Sequence, residues 1–343
     1  MNRIWRSNFM IRLRSWEYWP LYVVYFPIFF YWVWQAILSK SLFFFSASNP
    51  TIESGGMLGE SKSKILELVP EEVKPTTMFF LKDQDLKTVI AALDKNGLSY
   101  PLIAKPDMGE RGWKVEKIND QADLDKYIYQ SNVDFIIQEY IDLPIELGVF
   151  YYRMPDQEQG EVSSIVVKDM LKVMGDGRSS LRDLMMLYDR AKLQIASLEK
   201  ERDLSVIPIA GEEVELVAIG NHCKGTTFLN GNHLITEQLR QQFDHLSKRV
   251  DGFFYGRYDL RCVSYEALNR GEMKIMELNG AGAEPAHIYH PGFPLLEAYR
   301  VLFKHWNVLA QISRANHQKG VKYLTFGEAK DIWARIKTKE AVA

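Results

Sequence analysis

KIMELNGAGAE, residues 274–284, is an apolar run that delivers a carboxylate and an amide and then breaks at Gly280 and Gly282. Side chains two apart on a strand share a face. Glu277 and Asn279 therefore project together, while Met276 and Leu278 turn the other way. Two oxygen donors at one strand end suit a hard cation such as Mg²⁺. The segment also reads as a strand leaving the core through polar residues, so its neighbours have to decide.

One strand earlier stands GRYDLR, residues 256–261, in which Arg257, Asp259 and Arg261 alternate onto one face. Beside 274–279 in a sheet, Asp259 joins Glu277 and Asn279 in one oxygen set, and Arg257 offers a guanidinium fork for phosphate. Taken singly, Asp259 reads as the ion-pair partner of its arginines. Lys105 closes the apolar run PLIAKP and opens onto DMGERG, residues 107–112. Gly109 and Gly112 there let backbone N–H groups approach a phosphate. The stretch is not the GxxxxGK[ST] loop, and it also reads as an exposed hairpin turn. QEY, residues 138–140, ends another apolar strand, with Glu139 placed for a purine and Glu146 for a ribose hydroxyl. Each of these also reads as a surface carboxylate.

Around these residues, strand and helix patterns alternate. Helices are expected over 60–70, 83–96 and 120–130, and strands over 101–106, 113–118, 134–141, 145–153 and 161–173. GDGRSSLRDLM opens a helix running to about residue 202, with Ser180 and Asp183 at capping-box spacing. Residues 214–219 and 226–235 are expected to pair, with Asn230-Gly231 as a tight turn. A helix over 236–250, strands over 253–262 and 273–278, and helical spacing from Leu295 to Trp306 complete an α+β chain.

The 343 residues carry 42 basic and 44 acidic side chains, which gives no sign of a nucleic-acid binder. Cys223 and Cys262 make neither a disulfide framework nor a metal-ligand spacing. The N-terminus is the anomaly. Residues 18–38 are 21 positions without a charge, and five of the eight Trp lie within the first 34 residues. That length matches a hydrocarbon core, and such aromatics favour membrane boundaries. Arg3, Arg6, Arg12 and Arg14 predict a cytoplasmic N-terminus, while Pro20 and Pro27 interrupt or kink a spanning helix. The run also reads as an aromatic-rich helix buried in a soluble oligomer.

The order of features resembles the ATP-grasp superfamily: a lysine with a glycine loop, an acid at a hinge strand, a second acid, R-x-D, then E-x-N. The D-alanine–D-alanine ligase and cyanophycin-synthetase branches are similar over roughly residues 55–315, most specifically in GRYDLR and MELN. GDGRSSLRDL resembles a stretch of the cyanophycin-type ligases. NPTIESGGMLGESKSKILELVP resembles membrane-associated bacterial proteins labelled D-alanine–D-alanine ligase.

The resemblance implies an ATP-grasp fold: a hydrophobic segment (1–45), a short subdomain (46–97), a lid (98–138), a larger subdomain (139–315) and a helical tail (316–343). It implies ATP and Mg²⁺ as cofactors and a carboxylate and an amine as substrates, joined through an acyl phosphate. Lys105, with Lys62 or Lys64, would contact phosphates beside Gly109 and Gly112. Glu139, Tyr140 and Ile141 would line the adenine slot, and Glu146 would hold ribose. Asp259, Glu277 and Asn279 would hold Mg²⁺, and Arg257 would stabilise the transferred group. Lys168 and Arg178 are further candidates near the phosphates or acceptor. The polar loops bearing His222, His287 and His290 are candidates for the second substrate.

In those ligases a proline-glycine turn follows E-x-N, whereas here GAGAEPAH follows, so D-alanine is not implied as substrate. An ATP-using domain has to face the cytoplasm. Residues 18–38 are therefore expected in plane or re-entrant on the cytoplasmic face of a bacterial inner membrane. A kinase that stops at phosphate transfer, or a nucleotide-binding scaffold, are the competing readings.

Overall fold

The computed structural model describes residues 7–109, 112–217 and 220–342. Arg3 and Arg6 lie outside them. The chain opens with α1 (Asn8–Arg14), α2 (Leu21–Ser39) and α3 (Lys62–Leu68). Pro20 occupies the N-cap of α2, where no N–H is missed, and Pro27 lies inside a helix that continues past it.

A small unit follows: β1 (Thr77–Phe80), α4 (Leu86–Lys95), β2 (Leu102–Pro106), β3 (Glu116–Ile118), α5 (Gln121–Gln130) and β4 (Phe135–Glu139). Its antiparallel sheet has the order β1-β4-β2-β3. Asp85 and Asp120 cap α4 and α5 by accepting from backbone N–H groups. Their apolar faces, with Val89, Leu93, Leu124 and Tyr127, pack on Leu102, Ala104 and Phe135 of the sheet. β1 and α4 share this core, so the lid boundary expected at residue 98 falls inside one packed unit.

The rest comprises β5 (Ile145–Tyr152), β6 (Glu161–Asp169), β7 (Lys172–Met174), α6 (Leu181–Met185), α7 (Asp189–Leu198), β8 (Glu213–Glu215), β9 (Thr227–Asn230), α8 (Glu237–Lys248), β10 (Tyr255–Cys262), α9 (Tyr265–Asn269), β11 (Lys274–Asn279), α10 (Leu295–Gln318) and α11 (Phe326–Val342). Five strands form a second sheet in the order β11-β10-β5-β6-β9. One face, with Leu147, Val149, Tyr258, Leu260 and Leu278, packs on α8 through Leu239, Phe243 and Leu246. The architecture is α+β, as expected.

Three local expectations are corrected. Residues 161–173 are not one strand. The chain leaves the large sheet after Asp169, and β7 pairs with β8 because Leu171 and Val173 bury into a separate cluster with α6 and α7. The long helix divides into α6 and α7, with Met185 and Ala191 on either side of the break both in that cluster. Of the pair expected over 214–219 and 226–235, residues 218 and 219 lie outside the described residues, and the described part does not pair, since β8 joins β7 and β9 joins β6.

Candidate active site

The register of the large sheet assembles the chemistry. Asp259 lies opposite Glu277 on one side and Gly148 on the other, and Arg257 lies opposite Asn279. Arg261 faces Glu146, which in turn faces Lys168. All these groups share the face turned away from the α8 core, as the period-2 pattern requires. The ladder slips between Asp259 and Leu260. This bulge leaves Met276 out of register, and its carbonyl accepts from the small sheet: Lys105 Nζ at 3.4 Å and Gln138 Nε2 at 3.4 Å.

Asp259 is saturated. Arg257 donates to both its oxygens at 3.0 Å, Asn279 Nδ2 donates at 3.0 Å, and Lys168 Nζ lies 3.4 Å away. Burial pulls its carboxyl upward, but Arg257 and Lys168 outweigh that and hold it below the usual carboxylate range. Lys168 also donates to Glu146 at 3.0 Å, and Arg261 grips the other oxygen of Glu146 at 2.8 and 3.0 Å. Burial lowers Lys168, yet Asp259 and Glu146 together raise it above an ordinary lysine.

Two charges stand outside this network. Lys105 is buried, and among the described residues its ammonium donates only to neutral oxygens, the Met276 carbonyl and Gln138 Oε1 at 3.1 Å. Burial pushes it below the ordinary lysine value, Glu277 pulls the other way, and Lys62 adds to the depression. Among the described residues the Glu277 carboxylate has no hydrogen bond and no ion pair within 4.0 Å. Among the described residues, an ammonium without an anionic hydrogen-bond partner and a carboxylate without a donor thus lie close enough to interact, where Lys105 of the small sheet reaches the Met276 carbonyl of β11.

The glycine loop is tied to the start of α3. Lys62 Nζ donates to the Gly109 carbonyl, and Ser63 N donates to Asp107 Oδ1 at 2.8 Å. Gly112 has φ +72°, and a Cβ on it would meet Asn221 Nδ2 at 3.0 Å. Glu110 and Arg111 of the loop lie outside the described residues. Lys64 is exposed two residues further on, on another side of α3, and Lys62 is the member of that pair near Lys105.

At the hinge, Glu139 Oε2 accepts from Thr76 N at 3.1 Å. Tyr140 lies under Lys117 at 3.9 Å and near the Arg261 guanidinium at 5.9 Å, while Ile141 is buried with its carbonyl accepting from Arg261 at 2.9 Å. Ile103, Lys117 and Tyr140 face Leu198 and Leu216 across a cleft of about 220 Å³. Arg178 is exposed on the turn before α6, where its N–H donates to Asp176 Oδ1. No contact brings it to the cluster.

Sequence reasoning missed three participants. Gln138 is buried and joins Lys105 to Thr77 Oγ1. Its place one residue before the expected hinge acid was the available signal. Glu284 accepts from Tyr25 of α2 and, at 2.9 Å, from Tyr289, while its carbonyl accepts from Arg257 at 3.3 Å. Gly220 stands so close over the ion network that a Cβ would meet Glu146 Oε1 at 2.2 Å. The glycines after E-x-N have a packing reason: Ala281 N and Gly282 N donate to Gly55 and Gly56 carbonyls at 2.9 and 2.8 Å. A Cβ on Gly280 would strike the Gly55 carbonyl at 2.4 Å.

The histidines are absorbed by structure. His287 is buried against Ser164 Oγ at 2.6 Å and burial lowers it to about 4. His290 Nδ1 accepts from Asn230 N at 3.2 Å, and His222 Nε2 lies 3.2 Å from Glu17.

The oxygen donors fit a hard cation in kind. Glu277 is open, and Asn279 spends its Nδ2 on Asp259 and keeps its carbonyl oxygen. Among the described residues no three His, Cys, Asp or Glu side chains form a metal cluster.

No family model matches the chain, and no curated protein matches it. Solved structures do. A D-alanine–D-alanine ligase from Bacillus anthracis is similar at 14% identity and TM-score 0.43, over 76% of this chain and 69% of that one. The VanG D-Ala:D-Ser ligase from Enterococcus faecalis is similar at 14% identity and TM-score 0.41, over 75% and 60%. A bifunctional glutathione synthetase from Pasteurella multocida gives 15% identity and TM-score 0.34, over 75% and 38%.

Proposed function

We propose that this chain is an ATP- and Mg²⁺-dependent carboxylate–amine ligase of the ATP-grasp kind, seated at the cytoplasmic face of a membrane. The observation that carries this is the neighbouring pair of Lys105, a buried cation that among the described residues meets only neutral oxygens, and Glu277, a carboxylate with no hydrogen bond or ion pair among those residues. A buried ammonium in that state favours an anion, and a lone carboxylate favours a cation. A nucleotide phosphate with its metal ion supplies both at once.

Glu277 and the Asn279 side-chain oxygen would hold Mg²⁺, joined by Asp259 only after Arg257 or Lys168 shifts, since both its oxygens are engaged; when bound, the ion neutralises phosphate charge. Lys105 and Lys62 bind the phosphates from the side of the small sheet. Arg257, fixed by its fork on Asp259, presents its remaining N–H groups to the transferred group. Such preorganised charge is the main protein contribution to phosphoryl transfer. The cleft between Tyr140 and Leu216 is the proposed adenine slot. The unit over residues 77–139 acts as the lid that keeps water from an acyl phosphate. The amine then displaces phosphate. Glu146 is offered for ribose only after Arg261 or Lys168 shifts, since both its oxygens are engaged.

The test is a phosphate-release screen with ATP, Mg²⁺ and panels of carboxylates and amines. For the true carboxylate without amine, hydroxylamine should release ADP and trap a hydroxamate. A stable phosphorylated product formed stoichiometrically with ADP would replace the ligase by a kinase.

A further inference from the structure

α2 has 19 residues and is long and apolar enough to cross a membrane. At 1.5 Å per residue it measures about 28 Å. It is nevertheless bound to the body along its length. Near its start, Trp16 Nε1 donates to the Phe293 carbonyl at 2.6 Å and Tyr25 donates to Glu284. Midway, Ile28 packs with Ala298 and Leu302, and the Tyr31 and Phe303 rings meet at 5.0 Å. At its end, Arg314 donates to Gln35 Oε1 at 2.8 Å and Ser39 Oγ at 3.3 Å. α2 thus runs beside α10 from one end to the other. α10 carries Glu297, Arg300, Lys304 and Arg314, so it cannot follow α2 into a hydrocarbon core at tolerable cost.

The opposite stripe of α2 is apolar and bare. Tyr22, Phe26, Phe30 and Trp34 are 77%, 64%, 59% and 55% exposed. Over residues 7–42 the charges are Arg12, Arg14, Glu17 and Lys40. The one acid is turned inward, where Glu17 accepts from Arg190 at 2.5 Å and meets His222. Arg12, Arg14 and Lys40 are exposed. The outward face is therefore an aromatic stripe whose own flanking segments expose cations, Arg12, Arg14 and Lys40, with Asp189 of the body 3.7 Å from Arg14; an aromatic stripe with flanking cations is the pattern of a helix lying in the headgroup boundary of an anionic leaflet.

We infer that α2 is a monotopic, in-plane membrane seat: it inserts its outer stripe into one anionic leaflet while its inner stripe stays packed on α10. This deepens the membrane reading proposed above, and two measurements separate them. The first is flotation of the full chain, without ATP, with vesicles of phosphatidylcholine alone or with about 30% phosphatidylglycerol. Anionic vesicles should carry the protein, and F26E/F30E should weaken this by at least about tenfold. No binding by the natural chain would overturn both readings. So would an F26E/F30E variant that only turns a vesicle-free dimer into a monomer, which would make the stripe a self-interface.

The second is labelling of an Asn8→Cys variant with a membrane-impermeant maleimide in spheroplasts and inverted vesicles. The exposed Cys223 of the body is the internal reference. An in-plane seat places positions 8 and 223 on the same side. Membrane binding with the two labelled from opposite sides would keep the membrane reading and overturn the in-plane one.

Discussion

Asp259 and Glu277 stand opposite each other on paired strands, yet they should respond differently to loss of charge. Asp259 is 4% exposed and is the shared counter-ion of Arg257 and Lys168. Asp259→Asn leaves Arg257 without its forked partner and Lys168 with Glu146 alone. Removing one member of a buried ion pair costs about 3–5 kcal/mol. At about 2.1 cal/mol/K per residue, the unfolding entropy of the chain is about 0.7 kcal/mol/K, so the Tm should fall by about 4–7 °C. Glu277→Gln removes a charge that no donor among the described residues holds, and the Tm should move by no more than about 1 °C. Under the proposed function its effect falls on turnover: Mg²⁺-dependent ATP turnover should fall by at least about tenfold and recover partly at high Mg²⁺. Calorimetry of both variants, with turnover on the same preparations, makes the comparison. Equal Tm losses, or a larger loss for Glu277→Gln, would refute the division between a structural and an open carboxylate.

Two further outcomes are expected. His287 and His305 are both lowered to about 4, each chiefly by burial; an unfolded histidine takes up its proton near 6.5, so stability is fully present above that pH and is lost as pH falls toward 4. Each should cost about 2 kcal/mol by pH 5, and a His305→Asn chain should show a flatter loss of Tm between pH 7 and 5; an unchanged slope would mean that the ring already protonates in the fold. Gly220→Ala drives a methyl toward Glu146 Oε1 and Lys168 Cδ and should destabilise by about 1–3 kcal/mol, with faster proteolysis around residue 220. Unaltered stability and protection would show that the loop does not close over the ion network.

The sequence made legible whatever depends on residue type and period. Alternation in GRYDLR and KIMELN put Arg257, Asp259, Glu277 and Asn279 on one face, and the register agrees. Lys105 at a strand end and the glycine loop after it were likewise readable, because an apolar run broken by glycines marks a strand and turn. What stayed hidden depends on partners distant in the chain. Nothing near Asp259 announces Lys168, which reaches it only because β5 lies between β6 and β10. Nothing in 161–173 marks the exit after Asp169, since Leu171 and Val173 continue the apolar pattern while burying in another cluster.

Glu284 shows why this limit falls on the site itself. It follows the E-x-N turn, so local reading leaves it in a polar loop. Its carboxylate is fixed by Tyr289 and by Tyr25, which lies 259 positions away on the helix read as a membrane segment. Its carbonyl in turn holds Arg257. The proposed anchor and the arginine proposed to meet the transferred group are therefore tied through one residue, so a rigid shift of α2 on α10 would reach Arg257 through Glu284. Hydrophobicity identified α2 and alternation identified Arg257, but only the packing of one on the other's loop reveals that they are joined.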